Sequence, residues 1–235
     1  GNRRQPYIRV RQCLGHRAIG QRTSESPIPA DEDIAAALDV VGQSDIIALT
    51  DGTMAKALPD TNVWLAAIAK GYGADEIAEV LAGLGLTDYM VEIGGDLVAS
   101  GTNPNGEAWR IGIERPDAAT RTVEEVVQVA DLGMATSGDY RNYFEEDGVR
   151  YSHIIDAETG RPITHTTASV TVLAENAMLA DAWATAFLAL GVERGMPIAN
   201  ENDLAVLFIS RDQDTSELQF THAASERFEA LRASE

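Results

Sequence analysis

The sequence predicts an α+β fold in which helices pack against a mixed sheet. Stretches with alternating apolar residues, which are typical of strands, are spread over most of the chain. Stretches with apolar residues three or four positions apart, which are typical of helices, stand before, between and after them. Because the two kinds of stretch do not alternate strictly, a regular succession of strand, helix and strand is not expected.

The front of the chain differs from the rest. Residues 1–29 show no periodicity, so we expect an irregular arm there and a folded domain over residues 30–235. A first helix is predicted to begin at Pro29, with acidic residues in its first turn, where the helix dipole favours them. Two short strands are predicted about a turn at Asp51 and Gly52, a common hairpin signal.

A second helix is predicted from about Leu65 to Leu84, and Gly71 and Gly73 are expected to interrupt it. The remaining elements are predicted in this order: a glycine-turn hairpin over 88–101, strands over 108–116 and 126–129, a turn over 135–140, strands over 151–156 and 168–175, a helix over 176–191, strands over 204–210 and 217–222, and a terminal helix over 225–234.

The chain is strongly acidic, with a formal net charge of −19 from 37 acidic residues against 18 Lys and Arg. Such a surface repels nucleic-acid phosphates, so no nucleic-acid partner is expected. The sequence has no run of 18 apolar residues, so no transmembrane segment is expected in it. Cys13 is the single cysteine, which excludes an internal disulfide and a cysteine-based metal site.

Asp181 and Thr185 are candidate metal ligands. They are four residues apart on a predicted helix, so their oxygens lie on one face about one turn apart. A carboxylate, a hydroxyl and a backbone carbonyl suit Mg²⁺, which prefers oxygen ligands and leaves positions for phosphate and water. Alternatively, Asp181 is an exposed acid and Thr185 bonds back to its own helix. The apolar neighbours Ala182, Trp183 and Phe187 favour a partner for the acid, because they surround it with apolar surface.

Two glycine-containing segments are candidates for ligand contact. Thr136, Ser137 and Gly138 combine two hydroxyls with a small residue, a composition that suits a phosphate. Gly94 and Gly95 allow the backbone to approach a ligand closely. Each segment is also consistent with an ordinary polar turn.

His153 and Lys70 are candidates for proton transfer and phosphate binding. His153 is predicted to lie in a strand, on the same face as Tyr151 and Ile155, and an imidazole there is suited to act as a general base near neutral pH. A hydrogen-bonded structural histidine is the alternative. Lys70 lies in a glycine-rich segment and either pairs with a phosphate or is an ordinary solvated lysine.

Several segments, in a fixed order, resemble the ApbE-like FAD:protein FMN transferases. They are IAKGYGADEI (68–77), VEIGGDLVASGTNPNGEAW (91–109), DLGMATSGDYRNYF (131–144), YSHIIDAETGRP (151–162) and ADAWATAFLALG (180–191). The resemblance runs from about residue 31 to 210. It implies the fold of that family and an enzyme that uses FAD and Mg²⁺ to transfer FMN to a threonine hydroxyl of a target protein, releasing AMP.

Matching positions carry implied roles for individual residues. The resemblance implies that Ala67, through its carbonyl, holds the metal together with Asp181 and Thr185, and that Lys70 and Ile155 contact FAD. The turn residues implied to line the flavin pocket are Gly94, Gly95, Asp96, Thr136, Ser137 and Gly138.

The resemblance also assigns the base and exposes two departures. His153 is implied to deprotonate the acceptor threonine. Where the family usually reads D-L-S-x-I-A-K-G, this chain reads WLAAIAKG, so Trp64 replaces an acid that helps to bind FAD. Residues 1–29 contain neither the F-D-x-T nor the W-G-F pattern of the family, so we expect a truncated or divergent front.

Other functions remain open from the sequence. Water in place of threonine would make the protein an FAD pyrophosphatase, and loss of turnover would leave a flavin-binding or trafficking protein. A purely structural domain would bind no flavin. The resemblance further implies an acceptor protein with a flavinylated threonine, such as a subunit of a redox complex. It also implies a periplasmic setting, with a lipoprotein precursor associated with the inner membrane.

Overall fold

The computed structural model describes residues 29–39, 41–42, 46–48, 52–59, 63–119, 121–146, 149–212 and 218–233. The arm predicted over residues 1–29 lies outside the described residues except for its last position, and so does Cys13. The helices are α1 (Asp31–Asp39), α2 (Ala69–Gly83), α3 (Ala177–Glu201) and α4 (Glu226–Ala233). The strands are β1 (Ile46–Ala48), β2 (Met54–Lys56), β3 (Tyr89–Ile93), β4 (Asp96–Ser100), β5 (Trp109–Glu114), β6 (Val123–Val129), β7 (Leu132–Gly138), β8 (Tyr143–Glu146), β9 (Val149–Ser152), β10 (Thr167–Ala174), β11 (Ala205–Arg211) and β12 (Phe220–Ala224).

The described residues form two compact units. The first draws on residues 1–64 and 144–164, and the second on residues 65–143 and 165–235. The first unit contains α1, the β1–β2 hairpin and β9, whereas the second contains a six-stranded sheet with α2, α3 and α4. No helix in the described ranges is long and apolar enough to cross a membrane. The domain boundary predicted at residue 30 stays a prediction.

The six-stranded sheet of the second unit has the strand order β12-β11-β10-β7-β4-β3. Each neighbouring pair in it is antiparallel. The α+β class predicted from the sequence is therefore confirmed. The sheet itself is not mixed, since no parallel pair occurs among the strands that the structure describes.

Two hairpins predicted from turn signals are confirmed, since β1 pairs with β2 and β3 pairs with β4, both antiparallel. The strands predicted over 108–116 and 126–129 correspond to β5 and β6, and they also form an antiparallel pair, which the sequence does not predict. Gly52 of the first turn has a positive φ of 80°, a conformation that glycine adopts without strain. Its predicted partner in that turn, Asp51, lies outside the described residues.

The two faces of the sheet are covered by different elements. Ser137, Val170 and Phe208 are cross-strand neighbours on one face, and Phe208 packs edge-on against Phe187 of α3 with ring centroids 5.8 Å apart. The opposite face carries Leu173, which is buried together with residues of the β5–β6 hairpin and α4. Burial of apolar side chains on both faces supplies the main stabilisation of this unit.

Two helices differ from their predictions at glycines. α2 begins at Ala69 rather than near Leu65, and the two glycines expected to interrupt it lie inside it. α3 continues beyond Gly191 as far as Glu201, with a kink at Gly191, where φ is 72°. A Cβ at Gly191 would lie 2.6 Å from the His165 ring, so only glycine fits this bend.

Candidate functional site

Asp181 and Thr185 lie one turn apart in the first half of α3, whose start is capped twice. The Asn176 side chain accepts a hydrogen bond from the amide three residues on, at 2.8 Å. Asp75 of α2 accepts hydrogen bonds from the amides of the first two helical residues, at 2.9 and 2.8 Å. Because these bonds fix the first turn, they also set the position of Asp181 in the next turn.

Two glycines, one in α2 and one in β7, allow these elements to approach the start of α3 very closely. A Cβ at Gly71 would lie 2.2 Å from the Ala177 carbonyl oxygen, so any larger residue would push α2 and α3 apart. A Cβ at Gly133 would lie 2.1 Å from the Asn176 carbonyl carbon. The first turn of α3 is therefore clamped between α2 and β7.

Asp181 is a buried acid, with 3% of its surface exposed. Its Oδ2 accepts a hydrogen bond from the Gly71 amide at 3.3 Å. Burial, followed by repulsion from the nearby Asp96 carboxylate, raises the pKa of Asp181 to about 7, although Lys70 and the Gly71 amide act in the opposite direction. Asp181 therefore has too little positive charge nearby to remain fully ionised at neutral pH.

Lys70 is held by Asp96. Its Nζ donates to Asp96 Oδ2 at 2.5 Å, and the Asp96 side chain is 1% exposed whereas that of Lys70 is 42% exposed. Gly94 and Gly95, with φ of 59° and 96°, form the predicted two-residue turn before Asp96. A Cβ at Gly94 would lie 3.2 Å from Lys70 Cδ, so glycine leaves room for the lysine stem. The structure thus brings together four of the predicted site residues, namely Lys70, Gly94, Gly95 and Asp96.

The turn predicted at Thr136, Ser137 and Gly138 is wrong, because all three residues lie in β7. Successive side chains of a strand face opposite sides of its sheet. Ser137 Oγ lies 3.3 Å from Thr185 Oγ1 on the α3 side, whereas Thr136 Oγ1 lies 2.8 Å from Thr171 Oγ1 on the other side. Pairing with the central strand β10 outweighs the turn preference of these small residues.

Ala67 precedes the hydrogen-bond ladder of α2. The first bond of that ladder runs from the Tyr72 amide to the Ile68 carbonyl at 2.9 Å. The Gly71 amide, which a longer helix would direct to the Ala67 carbonyl, donates to Asp181 instead. Ala67 is 8% exposed, whereas Trp64 and Leu65 before it are 42% and 58% exposed.

Asp181, Thr185 and the Ala67 carbonyl offer oxygen groups of the kind that Mg²⁺ prefers. The raised pKa of Asp181 shows a carboxylate that positive charge would stabilise. Over the described ranges, no three His, Cys, Asp or Glu side chains converge. A cation at Asp181 and Thr185 would therefore complete its shell with a carbonyl such as that of Ala67, with water and with substrate phosphate, as Mg²⁺ commonly does.

His153 and Ile155 belong to the first unit. His153 directly follows β9 rather than lying in a strand, because β9 ends at Ser152. The Ser152 side chain is buried and accepts a hydrogen bond from the amide two residues on, at 3.1 Å. Ile155 forms an antiparallel bridge with Pro162. Gly160, which lies in the same loop and has a φ of 68°, packs against α1. These contacts fix the loop that carries His153.

The sequence does not indicate the tertiary contacts of two acids, Asp75 and Asp96, that help to build this site. Asp75 resembles any helical acid, yet it caps a helix that begins 102 residues later. The flavin contact predicted for Asp96 stays a prediction; in the structure its carboxylate binds Lys70 and neighbours Asp181. Both interactions are tertiary, so no local pattern signals them.

Comparison with known proteins identifies relatives over most of the chain. The model of the ApbE family matches residues 10–208. The FAD:protein FMN transferase of Vibrio cholerae serotype O1 is 45% identical over 196 residues, which cover 83% of this chain and 58% of that protein. The FAD:protein FMN transferase of Escherichia coli K12 is 38% identical over 200 residues, covering 84% and 57%. The chain thus spans a little over half the length of these relatives.

Solved structures agree with the sequence relatives. The flavin transferase ApbE from Vibrio cholerae superposes with a TM-score of 0.79 at 39% identity, over 93% of this chain and 69% of that one. The ApbE protein from Thermotoga maritima superposes with a TM-score of 0.72 at 28% identity, over 87% and 64%. Since the family model covers most of the sequence and these folds match it, the chain belongs to the ApbE family.

Proposed function

We propose that this chain transfers the FMN moiety of FAD to a threonine hydroxyl of a target protein and releases AMP, in a reaction that depends on Mg²⁺. The observation that supports this most directly is the buried Asp181, one turn from Thr185 and beside the Lys70–Asp96 ion pair. A cation and a phosphate group are the ligands that such a set of charges is suited to bind. Relatives in the family carry the name FAD:protein FMN transferase.

In this proposal, metal and phosphate binding belong to residues of the second unit. Asp181, Thr185 and the Ala67 carbonyl would hold Mg²⁺, which would supply positive charge to offset the negative charge on the pyrophosphate and on the departing AMP. Lys70 adds a second positive charge that orients the phosphates. The residues proposed to line the flavin are Gly94, Gly95, Asp96, Thr136, Ser137, Gly138 and Ile155.

His153 acts as the base in this proposal. The threonine oxygen forms a bond to the phosphorus of the FMN phosphate, and the bond from that phosphorus to the bridging oxygen breaks. AMP leaves with the bonding electrons, and the threonine proton passes to a ring nitrogen of His153. A neutral imidazole suits this step near pH 7.

A mass measurement tests the transfer. The full chain is incubated with FAD, Mg²⁺ and a protein carrying a flavinylation threonine. The acceptor is expected to gain one FMN, and an equal amount of AMP is expected in solution. Replacement of Asp181 by Ala should slow transfer at least ~100-fold, because a metal ion contributes several kcal/mol to stabilising the charge.

The controls separate transfer from its alternatives. His153→Ala should slow transfer by about 100-fold while FAD affinity changes little, since a general base acts on the chemical step. His222→Ala is the matched control, because His222 pairs with Glu124 on β6. AMP release without a change in the acceptor would mean hydrolysis of FAD, and FAD binding without AMP would mean a carrier. Either result rules out transfer.

We further propose that the reaction takes place in the periplasm, on a subunit of a redox complex, with the precursor tethered to the inner membrane as a lipoprotein. The support is the family to which the chain belongs. Fractionation of cells that express the native gene tests this. Recovery of the protein only from the cytoplasm would contradict it.

A further inference from the structure

We propose that Asp96 is a positioning residue that gives Lys70 two roles. While no divalent cation is bound, Lys70 is the counter-charge of the Asp96 and Asp181 carboxylates; once a cation is bound, Lys70 is released to bind substrate phosphate. This inference rests on the proposed function in one respect, namely that a divalent cation binds at Asp181.

The charges in this part of the site do not balance without Lys70. Asp96 and Asp181 are 1% and 3% exposed, and they lie close enough to repel each other. Two carboxylates in one buried place are stable only with positive charge beside them. Lys70 supplies one such charge through its 2.5 Å contact with Asp96 Oδ2.

A divalent cation changes this balance. It brings two positive charges that neutralise the two carboxylates, so the ammonium of Lys70 then loses the net attraction that held it. Lys70 and the cation therefore compete for the acids. The ammonium leaves Asp96 as the cation arrives.

The geometry makes Lys70, rather than Asp96, the partner that moves. Asp96 is the first residue of β4, paired with Ile93 across a turn of two glycines with positive φ. Lys70 has a flexible four-carbon stem that lies over Gly94, and its side chain is 42% exposed. A rotation of that stem frees the ammonium without moving the backbone of α2.

Cation binding without flavin tests the competition. Mn²⁺ is titrated into the full chain at pH 7.5, and free Mn²⁺ is followed by electron paramagnetic resonance. Lys70→Met is expected to bind Mn²⁺ at least about fivefold more tightly than the unsubstituted protein, because a competing positive charge is gone. Lys56→Met is the matched control, since Lys56 is the only other lysine and its Nζ donates to the Pro59 carbonyl in the first unit. It should leave the affinity unchanged.

A second variant tests the role of Asp96. In EDTA, Asp96→Asn should bind FAD about threefold more tightly than the unsubstituted protein, because Lys70 is no longer held back. If the Lys70–Asp96 ion pair served only to hold α2 against the β3–β4 hairpin, Asp96→Asn would bind FAD more weakly instead. If Asp96→Asn does not fold, the Lys70→Met titration still decides the matter.

The outcomes distinguish this inference from the proposed function. If Mn²⁺ binds but Lys70→Met keeps its affinity within twofold, the competition between Lys70 and the cation is overturned and the transferase proposal stands. If the unsubstituted chain binds no Mn²⁺, both are overturned.

Discussion

At the scale of single residues, the chemistry of this site is governed by how few positive charges surround Asp181. The acid is buried and Asp96 repels it, while Lys70 forms its ion pair with Asp96 rather than with Asp181. The helix that carries Asp181 is fixed at its start by Asp75, so the acid has little freedom to move towards solvent. A site that holds an acid in this way is suited to bind a cation.

The raised pKa of Asp181 predicts how stability depends on pH in the absence of divalent cations. The folded state binds the Asp181 proton more tightly than the unfolded state, where the pKa is 3.8, so folded protein carries more protons between pH 4 and 7. The free energy of unfolding therefore falls as pH rises through that window. We expect the titration of Asp181 to lower the free energy of unfolding by about 2 kcal/mol between pH 4 and 7. That is roughly half of what ~1.4 kcal/mol per pKa unit implies, because relaxation around a buried charge reduces the effect.

Urea unfolding in EDTA at a series of pH values measures this effect. Asp181→Asn should remove the corresponding slope, because the amide does not titrate. Adding Mg²⁺ to the unsubstituted protein should also flatten the slope, since a bound cation favours the ionised acid. An identical slope in Asp181→Asn and the unsubstituted protein would mean that other groups cause it.

At the scale of secondary-structure elements, the site depends on the close packing of α2 on α3. Gly71 is the contact point, and its amide also donates to Asp181. Gly71→Ala should therefore destabilise the fold by about 3 kcal/mol, because its Cβ would lie 2.2 Å from a backbone oxygen that cannot move aside alone. The same substitution should weaken cation binding, because it displaces Asp181.

Another glycine in α2 provides the control for this substitution. A Cβ at Gly83 meets nothing within 4 Å, so Gly83→Ala should stabilise the helix by about 0.5 kcal/mol through reduced chain entropy. Chemical denaturation of both variants gives the two free energies. Equal effects of the two substitutions would show that helix propensity, rather than packing of α2 on α3, controls stability here.

Elements were predictable from the sequence where local pattern and tertiary structure agree. The β3–β4 hairpin followed from its glycine pair, and α3 followed from its regular apolar spacing. Prediction failed at Thr136, Ser137 and Gly138, whose small polar side chains are typical of turns. Their strand conformation comes from pairing with β10, which is a tertiary effect, whereas β4 pairs with the first residues of β7.

At the scale of the whole molecule, the candidate residues were identifiable but their pairing was not. Asp181 and Thr185 followed from spacing within one helix, so their proximity was predictable. The ion pair of Lys70 and Asp96 joins residues 26 positions apart, and the cap from Asp75 spans 102 positions. Long-range contacts of this kind depend on how the elements pack, which a single sequence does not specify.

The net charge of −19 predicts an unusual salt dependence for the proposed binding of FAD. FAD carries negative phosphates, so the field of the whole chain repels it during approach. Salt shortens the screening length from about 30 Å at 0.01 M to about 10 Å at 0.1 M. At constant Mg²⁺, we expect the association rate of FAD to rise about two- to threefold over this range. Stopped-flow fluorescence measures the rate, and uncharged riboflavin should show no such rise. A rate for FAD that falls with salt would mean that the local charge of Lys70 outweighs that of the whole molecule.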